Sequence, residues 1–137
     1  MNPVLRNTLA VIVGIIIGSI VNMSIILISG SIIPPPEGCN NTTMKGLQES
    51  MHLFEAKHFL LPFLAHAIGT FTGAVTTALL AVHHKKKLAL LIGAFFLLCG
   101  IVSASSMPSP TWFTLIDLVF AYIPTAYLAL RLTCRKF

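Results

Sequence analysis

The sequence predicts an all-α integral membrane protein of four transmembrane helices, with both termini cytoplasmic and an amphipathic external segment before the second helix. Three observations lead there. Of the 137 residues 55% are hydrophobic and only 9% are charged, against roughly 25% charged in soluble domains, and the mean hydropathy is +0.88. The apolar residues gather into four runs, each reaching the about 20 residues a helix needs to cross a bilayer. Finally, the basic residues crowd onto alternate connections between those runs, as the cytoplasmic side of a membrane protein requires.

Taken in order, the first span covers about residues 8–33 and stops at Pro34-Pro35-Pro36, where the chain cannot continue as helix. Arg6 before an apolar run imitates a signal peptide. The run is longer than the about 7–15 residues of such a peptide's apolar region, and no small-residue cleavage site follows, so it reads as a retained helix. Residues 34–57 form the external loop. Within it Thr43 precedes Met44, Leu47, Met51 and Phe54, a spacing that suits an amphipathic helix lying on the outer surface and running on toward the second span.

The second span covers about 58–82 and ends at His83-His84-Lys85-Lys86-Lys87. The third covers about 88–105 and ends at the turn Ser106-Met107-Pro108-Ser109-Pro110, and the fourth covers about 112–132. The whole chain, 1–137, is a single four-helix domain. Arg6, the lysine run, Arg131, Arg135 and Lys136 fall on one side, with only Lys45 and Lys57 on the other. That asymmetry places the termini inside and predicts a multi-pass protein of the cell (inner) membrane. The net charge of +5 therefore reflects topology, and nucleic acid is excluded because no polar domain presents a basic groove. Cys39, Cys99 and Cys134 lie at different depths, beyond the about 7 Å Cα separation of a disulfide.

Lipid tails do not drive helices together, so close packing relies on small residues. Gly14 and Gly18 in the first span, Gly69 and Gly73 in the second, and Gly93 and Gly100 in the third each share a helix face and are assigned to packing within the bundle, with a dimer face as the alternative. Within Glu55–His66, EAKHFLLPFLAH, a helical wheel puts Glu55 and His66 within about 20° of each other. Pro62, Gly69 and Gly73 lie near the same direction, with His58 and His52 about 60° to either side. Charge facing lipid is costly, so this stripe faces the bundle.

Asp117, near the outer end of the fourth span, matches the depth of His58, and Asn22 in the first span matches that of His66. The candidate polar site is thus an outer tier of Glu55, His58, Asp117 and His52, and an inner tier of His66 with Asn22. Three functions compete for it. A transporter or channel-like protein for protons, cations or small solutes leads, because ionisable side chains inside a membrane are costly unless used, and histidine as a residue type titrates near neutral pH. A thin-walled four-helix chain would then work as a homo-oligomer. The alternatives are a structural or accessory subunit of a larger membrane complex, and a metal-binding enzyme whose ligands would be Glu55, His58 and Asp117. The Glu55–His58 spacing places two ligand types one helical turn apart. Beyond that metal ion no cofactor is predicted, and the bilayer is the one partner the composition requires.

Overall fold

Every regular element among the described residues is helical. The computed structural model describes residues 1–136. It runs α1 (Pro3–Ile32), α2 (Met44–Ser50), α3 (Lys57–Leu80), α4 (Lys85–Ser106), α5 (Thr111–Phe120) and α6 (Ile123–Thr133), with short 3-10 turns at Met51–Leu53 and Cys134–Lys136. Four helical spans are long and apolar enough to cross a membrane: α1, α3, α4, and the stretch Thr111–Cys134 that α5 and α6 make together. The bundle has a basic end, with the start of α1, the α3–α4 turn and the end of α6, and a loop end with residues 33–56.

α1 begins at Pro3, earlier than its hydropathy suggests, because Asn2 and Pro3 start it. The Asn2 side chain accepts a hydrogen bond from the Val4 N–H at 2.9 Å, and proline suits a first turn whose N–H groups lack partners anyway. Arg6 and Asn7 are therefore helical and close the far end of α3. Arg6 Nε donates to the Leu80 carbonyl at 3.2 Å, and Asn7 Nδ2 donates to the His83 carbonyl at 3.1 Å. Asn7 Oδ1 also accepts from the Val82 N–H at 3.0 Å. These contacts satisfy backbone groups that a helix end leaves open. The chain then reverses through His84, whose φ of 55° is left-handed, and enters α4.

The glycine pairs of α1 and α3 face each other. A Cβ built on Gly14 would lie 2.7 Å from the Gly73 carbonyl oxygen, and one on Gly18 would lie 2.7 Å from that of Gly69. One turn further, buried Thr77 donates from Oγ1 to the Ala10 carbonyl at 3.2 Å. Both GxxxG motifs are thus used within the chain, to bring two backbones together. Gly93 repeats the device against α6, where its Cβ would be 2.7 Å from Ala126 Cβ. The core is correspondingly small-residued: Ala74, Ala78, Ala89, Ala126 and Ala129 surround Ile92 and Leu130.

Two expectations change. The fourth span is broken rather than continuous over 112–132. Pro124 favours a break, because its ring crowds the preceding turn and it has no N–H; α5 ends at Phe120 and α6 starts at Ile123. Thr125 Oγ1 bridges the break by donating to the carbonyls of Ala121 and Tyr122, at 2.7 and 2.9 Å. Pro62, by contrast, stands inside an uninterrupted α3. The loop-end helix is also shorter than expected. Thr43 caps it by accepting from the Gly46 N–H at 3.0 Å, but the chain is extended at Phe54 and does not run on into α3. Gly46 and Ser50 are its buried residues. Both lean on Asn40, whose N–H donates to Ser50 Oγ at 3.1 Å, so the helix docks onto its own preceding loop.

Candidate functional site

The break in the fourth span sets the polar centre. It leaves Asp117 in the last turns of α5 and turns Tyr122 into the bundle, where Gly100 of α4 makes room for it. A Cβ on Gly100 would be 2.5 Å from the Tyr122 hydroxyl oxygen. Asp117 is 5% exposed and has a partner on each carboxylate oxygen. His66 Nδ1 lies 2.8 Å from Oδ1, and the Tyr122 hydroxyl donates to Oδ2 at 3.1 Å. The His66 and Tyr122 rings stack at 5.8 Å with 24° between their planes. A buried carboxylate needs such partners, because burial without hydrogen bonds costs several kcal/mol, on the order of the desolvation of an ion.

His66 and Tyr122 also line a cavity of about 80 Å³, together with Asn22 of α1, Thr70 of α3, and Phe96, Cys99, Gly100 and Ser103 of α4. Two buried oxygens there, Asn22 Oδ1 and Thr70 Oγ1, make no hydrogen bond within the described residues. Thr70 is 1% exposed. Buried polar atoms are normally paired, so these two mark the cavity as polar, with room for a few water-sized groups. Asp117 does not line it. The carboxylate stands behind His66 and Tyr122 and holds both side chains against the cavity. Cys99 and Ser103 are exposed, so the cavity reaches the flank of the bundle beside α4.

The candidate residues therefore separate. His66 and Asp117 meet, and Asn22 joins them as a cavity wall, packed so closely on Gly69 that a Cβ there would lie 2.8 Å from Asn22 Cβ. Asp117 was expected beside Glu55 and His58; instead the carboxylate pairs with His66, one tier deeper, where His66 and Asn22 line one cavity. Glu55 precedes α3 and lies outside its helical register, so the wheel that aligned it with His66 does not apply to it. Its carboxylate, 70% exposed, faces Lys57 Nζ at 3.5 Å. His58 is turned back onto the loop, where Nδ1 accepts the Glu55 N–H at 2.9 Å and the ring packs edge-on against Phe54 at 5.4 Å. His52 is exposed in the 3-10 turn.

For a metal, His58 Nδ1 is already engaged and Asp117 is remote from it. Among the described residues no group of three or more His, Cys, Asp or Glu side chains could hold a metal ion. The three cysteines are free. Thr70 and Ser103 are site residues that sequence reasoning passed over. Thr70 stands one turn beyond His66 on the same face, a signal that is present but common in membrane helices. No protein-family model matches the chain, and comparison with curated proteins and with solved structures finds nothing similar, so the reading of this site rests on its own geometry.

Proposed function

We propose that the chain is a multi-pass integral membrane protein, with both termini and the 83–87 turn in the cytoplasm, that moves a proton or small cation by way of the Asn22–His66–Thr70–Tyr122 cavity. The observation that carries this reading is the pair of unpartnered buried oxygens, Asn22 Oδ1 and Thr70 Oγ1, beside a histidine backed by a buried carboxylate. The two unpartnered oxygens offer acceptors to a guest, and the Asp117 carboxylate behind His66 favours a positive one. On this reading the His66 ring, held at Nδ1 by Asp117, is the side chain that meets the guest. The flank opening at Cys99 and Ser103 leaves the cavity wall incomplete in a single chain, which fits a homo-oligomer whose second copy covers that side.

The test is proton flux into liposomes containing the purified protein, followed with an entrapped pH-sensitive dye. Flux well above that of empty liposomes is expected from the natural sequence. His66→Gln and Asp117→Asn should bring it to background while helix content is retained. Natural flux in Asp117→Asn, or none from the natural sequence under any imposed proton or cation gradient, refutes the proposal. A second reading has its own support: both Asp117 oxygens are satisfied inside the protein, as a purely structural tie between α3 and α5 would require. On that reading both variants lose only thermal stability.

A further inference from the structure

A larger cavity, about 700 Å³, opens at the basic end between the start of α4 and the end of α6. Three cations line it, Lys86, Arg131 and Arg135, together with an apolar wall that includes Tyr127, Leu128 and Leu132. Arg131 is held on that wall, with its guanidinium carbon 5.5 Å from the centre of the Tyr127 ring. The protein supplies no acidic side chain to balance these charges. Of its four Asp and Glu residues, Glu37, Glu49 and Glu55 belong to the loop end and Asp117 is committed to His66 and Tyr122. All three cations are exposed, so an anion from outside the chain can reach them.

We propose that this cavity binds one anionic phospholipid, with its phosphate held by Lys86, Arg131 and Arg135 and an acyl chain along Leu128 and Leu132. The two guanidinium groups suit phosphate because each presents paired N–H donors. The apolar wall suits an acyl chain: Leu128 and Leu132 are 50% and 55% exposed, on the side of α6 that a bilayer would cover. A free phosphate would leave that wall unused. The alternative is that these cations only orient the protein, as basic residues near span ends do. Orientation requires charge on one side and no cavity, so the two roles separate experimentally. This inference does not depend on what the inner cavity does.

The full chain, purified in detergent and stripped of lipid, would be titrated separately with phosphatidylglycerol, phosphatidylcholine and inorganic phosphate and followed by native mass spectrometry. One phosphatidylglycerol should bind in preference to phosphatidylcholine. Arg131→Gln and Arg135→Gln should each weaken it about fivefold, the scale of one basic residue near an anionic surface. Lys87→Gln removes the same charge from the same end but outside the cavity lining, and should leave the affinity unchanged. Equal loss in Lys87→Gln would show a diffuse field and overturn the site. Equal binding of phosphatidylcholine would overturn it too, as would inorganic phosphate competing as strongly as the lipid. Arg135 lies beyond α6 and is exposed, so its variant serves if Arg131→Gln does not fold.

Discussion

The packing of α1 on α3 allows a sharp test within a single helix, because α1 carries glycines in opposite environments. Gly14→Ala places a methyl group 2.7 Å from the Gly73 carbonyl oxygen and onto the hydroxyl of Thr77. Ordinary contact begins near 3.4 Å, so the two backbones must part by about 0.7 Å, and Thr77 must give way as well; overpacking of this kind costs about 1–3 kcal/mol. Rotation of Thr77 would also forfeit its bond to the Ala10 carbonyl, about 0.5–1.5 kcal/mol. Gly30→Ala makes the same chemical change in the same helix, but nothing lies within 4 Å of the added carbon. It should be neutral or stabilising, by up to about 1 kcal/mol from helix propensity alone. Reversible unfolding in mixed detergent micelles, followed by circular dichroism, reads both. Equal stabilities for the two variants would refute the facing-glycine interface. If Gly14→Ala changed only the oligomeric state and left unfolding untouched, the motif would be a contact between copies instead.

Three further outcomes follow from the same coordinates. Asp117→Ala removes the partner of both the Tyr122 hydroxyl and His66 Nδ1, and Tyr122→Phe leaves Asp117 Oδ2 buried without its donor; each should destabilise by about 1–3 kcal/mol, and unchanged thermal melts would refute the network. Asn7→Ala removes bonds to the Val82 N–H and the His83 carbonyl, so hydrogen exchange at Val82 should quicken while the α3 core stays protected. Glu55→Gln breaks only an exposed ion pair with Lys57, and such pairs are worth about 0–1 kcal/mol. Its melting temperature and any flux should therefore stay at the natural values, and a loss of flux would return Glu55 to the site.

Much of the architecture is legible in the sequence because a bilayer imposes a one-dimensional rule: apolar length decides what can cross. Composition and the length of the four apolar runs predict the four candidate spans, and Gly14, Gly18, Gly69 and Gly73 announce themselves as packing residues by their spacing. Local chemistry was partly readable as well. Asn2-Pro3 is a helix start and Pro124 a helix breaker, yet hydropathy alone stops short of the first and runs over the second. What the sequence could not order was the polar site, because helix faces meet according to rotation and depth, which no single helix encodes.

A helical wheel extended back to Glu55 crosses a boundary at Lys57, and its angles lose meaning there. Asp117 meets His66 across α5 and α3, and the break after Phe120 brings Tyr122 onto the other carboxylate oxygen. A break of that kind sets geometry in three dimensions while leaving hydropathy unchanged. The sequence by itself thus determined that the chain has four membrane-length spans, close glycine contacts and few acids. Only the tertiary structure decided which of those acids is buried, and that it stands behind an oxygen-lined cavity. Burial of a charge is settled by the partners that surround it, and here those partners come from α3 and from the break itself.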